Sequence, residues 1–277
     1  MLPILKNDEI APNIFEMVIE HPRLAGKAQA GHFVMVMSDA ELSERIPLTV
    51  ADFDRAAGTV TLVIMAVGTS TRKLVGLKAG KKLPAMIGPL GHASEVGELG
   101  TVVMVAGGVG TAPVYPIARV LREGGNRVIS IQGARTKELL FWTEKLSAVS
   151  DEHIITTDDG SAGRKGLVTG PLREILEGRA REIGCVYMIG PAVMMKFCAR
   201  TIAPFGVRGV ASLNSVMIDG TGMCGGCRVT VGGETKFTCV DGPEFNALEI
   251  DWDILMARQK MYCEEEQCSL NHYLDTI

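Results

Sequence analysis

The run Val102-Val103-Met104-Val105-Ala106 passes directly into Gly107-Gly108-Val109-Gly110-Thr111-Ala112-Pro113. An apolar strand that ends in glycines and restarts as a helix points to an α/β domain. Glycines permit the tight turn and let backbone amides approach a ligand, while the helix N-terminus adds partial positive charge. The pattern is G-G-x-G-x-x-P, short of the full G-x-G-x-x-G dinucleotide fingerprint. Taken alone it reads as an ordinary strand-to-helix turn of an α/β domain.

Its surroundings narrow the choice. From Gly100 onward, apolar runs at 101–106, 127–131, 153–157 and 185–189 alternate with helical stretches, the first marked by Val114, Ile117, Ala118 and Leu121. Alternating strand and helix predicts a parallel sheet with crossover helices. Pro116 counts against the first helix, because proline fits easily only in a first turn. A second turn, Thr157-Asp158-Asp159-Gly160-Ser161, follows another predicted strand. It lies beside the ribose and nicotinamide of a bound dinucleotide at the carboxyl edge of the sheet, or else it is a solvated acidic loop.

The first hundred residues have a different rhythm. Phe15, Met17 and Ile19 alternate with Glu16, Val18 and Glu20, and Val60, Leu62 and Ile64 with Thr59, Thr61 and Val63. Short alternating strands separated by Gly- and Pro-containing breaks predict a small antiparallel barrel, with one helix near residues 70–77. At 277 residues the chain is long enough for two or three compact units. A formal charge of −4 argues against a nucleic-acid footprint. No stretch is long enough to span a bilayer, and the N-terminus lacks the form of a signal peptide. With seven cysteines, an odd number, metal binding in a reducing compartment suits the chain better than a disulfide framework. A cytoplasmic location is the expectation.

Cys224-Gly225-Gly226-Cys227 and Cys239 stand at C-x2-C-x11-C. A plant-type 2Fe–2S site runs C-x4-C-x2-C…C. The place of its first thiolate falls on Asp219, in Asp219-Gly220-Thr221-Gly222-Met223-Cys224. A carboxylate is a harder ligand than a thiolate and changes the potential of the iron it binds. Three other readings stand beside this one: a structural zinc site, a fourth ligand from Cys263 or Cys268, or an Asp219 that only shapes a turn. Cys185 and Cys198 sit in apolar segments and read as buried structural thiols. The acidic stretch from Cys263 to Cys268 reads as solvated or partner-facing, within a charged helical tail that starts near Asp251. The five histidines are scattered, and no side chain is assigned a catalytic role.

Arg45-Ile46-Pro47-Leu48-Thr49 resembles the R-x-P-[LFY]-[ST] signature of the ferredoxin–NADP reductase superfamily. Gly68-Thr69-Ser70-Thr71 resembles that family's second phosphate-binding turn, and Gly88-Pro89-Leu90-Gly91 the turn closing its barrel. The resemblance implies that Arg45 pairs with a flavin diphosphate, that Pro47, Leu48 and Thr49 line the flavin ring, and that Gly68, Thr69, Ser70 and Thr71 hold phosphate. It also implies that Gly107, Gly108, Gly110 and Thr111, with Asp158, Asp159 and Gly160, take NAD(H). An arginine after the second strand accepts the 2′-phosphate of NADP in such domains. Arg135 occupies that place, but the resemblance favours NAD(H).

The order of the parts looks like two related families. One is the electron-transfer subunit of dihydroorotate dehydrogenase, which uses four cysteines. The other is the small subunit of NADH-dependent reduced ferredoxin:NADP oxidoreductase, which carries one aspartate and three cysteines. Asp219 favours the second. The implied fold is a ferredoxin reductase-like FAD barrel over 1–98, a parallel-sheet NAD(P)-binding α/β domain over 99–209, and a 2Fe–2S segment with tail over 210–277. The implied cofactors are FAD and a 2Fe–2S cluster held by Asp219, Cys224, Cys227 and Cys239. The implied partner is a larger subunit with a second flavin and 4Fe–4S clusters. Delivery of electrons for orotate formation, and a zinc-bearing interaction subunit without redox chemistry, are the competing functions.

Overall fold

The computed structural model describes residues 1–39 and 44–276. Seven strands form the first sheet: β1 (Leu2–Ala11), β2 (Ile14–Glu20), β3 (Phe33–Met37), β4 (Ile46–Asp54), β5 (Thr59–Met65), β6 (Lys82–Leu83) and β7 (Ala85–Leu90). Their order is β6-β1-β2-β5-β4-β3-β7, with every pairing antiparallel. The edge strands β6 and β7 are neighbours in sequence, so the sheet curls into a nearly closed barrel. Met17, Ile19, Val60, Leu62 and Ile64 fill it, each fully buried, as the alternation of apolar and polar residues predicts.

The second sheet contains β8 (Thr101–Gly107), β9 (Arg127–Ala134), β10 (Glu152–Thr157), β11 (Arg164–Lys165), β12 (Ile183–Ile189), β13 (Gly209–Ser212) and, later in the chain, Glu244–Asn246. Between those last two lies a hairpin of β14 (Arg228–Val231) and β15 (Glu234–Phe237), so Glu244–Asn246 is β16. The order is β11-β10-β9-β8-β12-β13-β16, parallel except for β16. Helices Thr111–Glu123, Thr169–Arg179 and Ala192–Ile202 supply buried faces against this sheet. Together the sheets make a ferredoxin-reductase-like fold.

Three local outcomes are not set by periodicity alone. Glu16, a polar member of the β2 alternation, is only 8% exposed. Pro116 lies well inside helix Thr111–Glu123. The lost hydrogen bond and ring clash cost about 3 kcal/mol, but Val114, Ile117, Ala118 and Leu121 on the same helix are completely buried. Their burial is worth roughly 1.5–3 kcal/mol for each large side chain, which outweighs the proline. Finally, β16 adds an antiparallel edge to the otherwise parallel second sheet, joining Asn246 to Val210 and Glu244 to Ser212 of β13. Three-residue strands carry too little pattern to be read in advance.

Helix Trp252–Arg258 is capped by Asp251, whose carboxylate accepts the Ile254 amide at 2.9 Å. Arg258 reaches back to the carbonyl of Gly226 at 3.0 Å, tying the tail to the cysteine loop. Helix Cys263–Leu274 follows, with Cys263 and Cys268 exposed. Cys185 and Cys198 are buried, and burial pushes both thiols up to about 12. Among the described residues no helix is long and apolar enough to cross a membrane.

β16 also ties the second sheet to the segment between the domains: Ser94 Oγ donates to Glu244 Oε1 at 2.5 Å. Burial pushes the Glu244 carboxyl up to about 7 from its ordinary 4.5, against the opposing effects of Ser94 and Arg208. Between those values the folded chain keeps a proton that the unfolded chain has released. Its contribution is therefore present below the lower value and lost as pH rises through the upper, by about 3 kcal/mol in all. Glu244→Gln keeps the acceptor without the charge. We expect it to unfold at higher temperature than the parent at about pH 8 and at nearly the same temperature at about pH 5. An equal offset at both pH values in thermal melts would assign the titration to another group.

Candidate functional site

β4 pairs with β3 along its whole first half, placing Pro47 opposite Met35, Leu48 opposite Val34 and Thr49 opposite Phe33. Its ladder with β5 begins only at Val50. The backbone of residues 46–49 therefore has one edge that no described strand occupies, and Pro47, which has no N–H to offer, is tolerated there. Arg45 stands at the entrance to this edge, close enough to Asp219 for its charge to help lower that carboxyl. A free backbone edge beside a guanidinium suits a flavin whose ring lies along the strand and whose diphosphate meets the arginine.

Helix Thr69–Val75 starts at the second turn. Thr71 Oγ1 accepts the amides of Gly68 (3.0 Å) and Val67 (3.1 Å) and donates to the Gly68 carbonyl (2.9 Å). Thr71 thus shapes the turn from within. Thr69 Oγ1 lies 3.0 Å from Ser269 Oγ of the C-terminal helix, and Ser70 Oγ donates to Glu44 at 3.4 Å.

The glycine turn sits at the carboxyl ends of β8 and β12, where the strand order departs from β8 in both directions. Open α/β sheets bind their ligands at this switch point. Two of its glycines answer different needs. Gly110 packs on the end of β12: a Cβ there would stand 2.2 Å from the Ile189 carbonyl oxygen. Gly108 has φ +54 and nothing within 4 Å of its Cβ position, so it faces the open side of the turn. Thr111 is buried and its Oγ1 receives Gln132 Nε2 at 3.3 Å. The second turn lies on the same edge, at the ends of β9 and β10. The Asp158 amide donates to the Ala134 carbonyl at 3.1 Å. Asp159 Oδ1 accepts the Ser161 hydroxyl and amide at 2.7 and 2.9 Å, and these bonds, the hydroxyl foremost, hold its carboxyl below the ordinary range.

The cysteine loop folds around glycines in the left-handed region, Gly220, Gly222 and Gly225. Cys227 and Cys239 are buried with their sulfurs 3.1 Å apart. Cys224 is exposed, and the amides of Gly226 and Asp219 hold its thiol below the ordinary value. Burial pushes Cys239 up to about 12, a state that a bound cation reverses. Asp219 Oδ2 accepts the Thr221 hydroxyl and its amide (2.9 Å), chiefly the hydroxyl lowering its pKa. In this arrangement Asp219 closes its own turn. Among the described residues no three His, Cys, Asp or Glu side chains converge as one metal ion requires. A two-iron cluster has a different demand, with its protein ligands divided between the irons, and amides aimed at sulfur suit it.

Sequence reasoning missed the wall behind this loop. Phe33, Met35 and Met217 form one apolar cluster with Cys227 and Cys239, flanked by Leu90 and Phe237. A Cβ on Gly220 would lie 2.6 Å from Met35 Cγ. Met35 is the strand partner of Pro47, so the cysteine loop rests on the strand next to β4. No local sequence signal marks Met35; only the barrel register does.

Comparison with known proteins agrees with these parts. Residues 104–200 match the oxidoreductase NAD-binding domain, and residues 214–251 match the iron–sulfur cluster binding domain of dihydroorotate dehydrogenase B. A chain of the NADH-dependent reduced ferredoxin-NADP oxidoreductase, solved in work on flavin-based electron bifurcation, superposes with a TM-score of 0.93. It is 43% identical over 99% of this chain and 98% of that one. Phthalate dioxygenase reductase shares the fold at a TM-score of 0.60 and 15% identity. The protein is thus an oxidoreductase subunit of the ferredoxin-reductase-like class, with an NAD-binding and an iron–sulfur domain and with FAD, a 2Fe–2S cluster and NAD(H) as its cofactor set.

The Thermotoga maritima homologue of the dihydroorotate dehydrogenase B (NAD(+)) electron transfer subunit is 44% identical over 99% of this chain and 95% of its own length. The Bacillus velezensis electron transfer subunit is 32% identical over 90% of this chain and 97% of its own. The chain belongs to this family of electron-transfer subunits.

Proposed function

We propose that this subunit exchanges electrons between NAD(H) and a larger partner flavoprotein in ferredoxin-linked, electron-bifurcating NADH/NADP oxidoreduction. Bound FAD supplies the step between two-electron and one-electron chemistry, and the 2Fe–2S cluster supplies one-electron relay. The chain's residues bind and orient. Arg45 neutralises diphosphate, the free edge at 47–49 meets the flavin ring, and Gly68, Thr69 and Ser70 receive phosphate. Gly108 admits the dinucleotide, Thr111 opens the helix beneath it, and Asp158 to Gly160 border the ribose. Residues 1–98, 99–209 and 210–277 serve as the flavin, nucleotide and cluster units.

The observation that carries this reading is Met35, packed between the flavin strand and the buried sulfurs of Cys227 and Cys239. Neighbouring strands lie about 5 Å apart, so the two redox sites are separated by little more than one strand. Ile218 and Met223 beside Cys224 are 56% and 85% exposed, an apolar rim suited to a partner that accepts single electrons. That partner carries a second flavin, at which bifurcation takes place, and 4Fe–4S clusters, and the complex is cytoplasmic.

Asp219 completes the ligand set with Cys224, Cys227 and Cys239. Asp219→Cys is expected to keep a 2Fe–2S cluster with a shifted potential and EPR spectrum. Unchanged spectra in both Asp219→Cys and Asp219→Ala would remove the carboxylate from the iron. A second reading, electron delivery for orotate formation, is favoured by the matched cluster-domain model and by the names of several relatives. Co-purification separates the two. A partner that reduces NADP with ferredoxin supports the first, and one that oxidises dihydroorotate supports the second.

A further inference from the structure

Trp142 adopts φ 53 and ψ 21, the left-handed region. A bulky L-residue is disfavoured there and persists only when its surroundings hold it. The holding contacts come from the other domain. Trp142 Nε1 donates to Glu16 Oε2 at 2.7 Å. Glu16 lies on β2, where its other oxygen accepts Lys6 at 2.7 Å. Lys145 stands 4.0 Å from the centre of the Trp142 ring and 3.9 Å from Glu16 Oε2, and Tyr115 meets the indole edge-on. Burial works to raise the Glu16 carboxyl, but the bonds from Lys6 and Trp142 prevail and hold it low, so it stays charged.

The residue before Trp142 joins this contact to the glycine turn. The Phe141 carbonyl accepts Gln132 Nε2 at 2.8 Å, and the same nitrogen lies 3.3 Å from Thr111 Oγ1. Phe141 and Ala112 are buried in one cluster with Ile14, Ala51 and Val63 of the barrel, with Val109 and Trp142 packed against it. The nucleotide turn therefore leans on the flavin barrel through residues 141–142.

We propose that the Glu16–Trp142 hydrogen bond is a positioning latch that keeps the turn at 107–111 in register with the flavin strand. The inference rests on the reading of that turn as the NAD(H) site. Hydride transfer moves one proton with two electrons from the dihydronicotinamide, which is left as the oxidised nicotinamide, to the flavin, which is left reduced. It needs the reacting atoms about 3–3.5 Å apart, and a misplacement of about 1 Å costs roughly 100-fold. Trp142 is too far along the chain from Gly108 to be read as part of the site; it acts through Phe141 and Thr111.

The test uses the FAD- and cluster-loaded chain, mixed anaerobically with NADH in a stopped-flow instrument, alongside hydrogen exchange of the nucleotide-free protein. Trp142→Phe keeps an aromatic ring and removes the donor. Glu16→Gln keeps an acceptor and removes the charge. Trp142→Phe is expected to slow the limiting rate of flavin reduction about 10- to 100-fold while the NADH Kd stays within about threefold. Its amides at 109–114 should exchange at least about 10-fold faster. Glu16→Gln should retain at least about half the parent rate and protection. Parent-like rate and exchange in Trp142→Phe overturn the latch, as does a parallel loss of rate and affinity. If Trp142→Phe does not fold, Glu16→Leu replaces it with the same expected outcomes, and a parent-like Glu16→Leu overturns the proposal. A parent chain whose flavin NADH does not reduce overturns the nucleotide-site reading itself, and the latch with it.

Discussion

Cys227→Ser is expected to leave a chain that takes up FAD and passes electrons from NADH to a two-electron dye, yet delivers them to its partner at least about 100-fold more slowly. The side chain at stake is 2% exposed and its sulfur lies 3.1 Å from that of Cys239. Serine offers a harder, less readily ionised oxygen in a pocket built for a soft ligand. The loop itself should survive, because it is anchored through the backbone. The Cys227 carbonyl accepts both the amide (3.1 Å) and the hydroxyl (3.0 Å) of Thr238, and neither bond involves the thiol. Iron content, visible absorbance and EPR measure the cluster, and the dye assay measures the flavin half independently. Full delivery to the partner by a variant without iron would remove the cluster from the route. Cys198→Ser is the control: that thiol packs in the core of the nucleotide domain, far in sequence from the loop, and its loss should cost stability but no iron.

Gly110→Ala is expected to lower stability by about 3 kcal/mol, the upper end of what overpacking costs, and to weaken NADH binding at least about 10-fold. The added methyl would stand 2.2 Å from the Ile189 carbonyl oxygen, so helix Thr111–Glu123 has to back away from β12. That movement carries the helix start, and with it the amides offered to the dinucleotide. Gly108→Ala separates the two roles of the turn. Its Cβ meets no protein atom within 4 Å, so its stability cost is limited to left-handed strain of about 1–2 kcal/mol. Its methyl instead enters the space left for the ligand, and weaker NADH binding should exceed what the loss of stability explains. Thermal melts read the first effect and NADH titration of the flavin the second. A Gly110→Ala chain that melts with the parent would place the close approach elsewhere.

Much of the fold was legible because it follows from short-range rules. Alternation filled the barrel with Met17, Ile19, Leu62 and Ile64, and helical spacing buried Val114, Ile117 and Leu121. The features that short-range rules leave open share a cause. Glu16 sits at an alternating polar position, but that face of β2 meets the second domain, where Trp142 and Lys145 engage its carboxylate alongside Lys6 of β1. Pro116 violates a local preference that tertiary burial overrides. β16 is too short for any period to show, and it exists because β13 leaves an edge to pair with.

Sequence alone determined the chemistry available to this chain: thiolates and a carboxylate in one glycine-bounded loop, a glycine turn on a strand, and a basic signature on a barrel strand. These are local patterns, set by spacing within a few residues, and local sterics make them readable. Tertiary structure decided which of them touch. It placed Met35 between the flavin strand and the cysteine sulfurs, and it set Gly110 against Ile189. It also brought a left-handed tryptophan, 126 residues away in sequence, onto Glu16. Contacts at such separations depend on register and domain packing, which no window of sequence contains. The juxtaposition of these groups therefore belongs to the fold, and the groups themselves to the sequence.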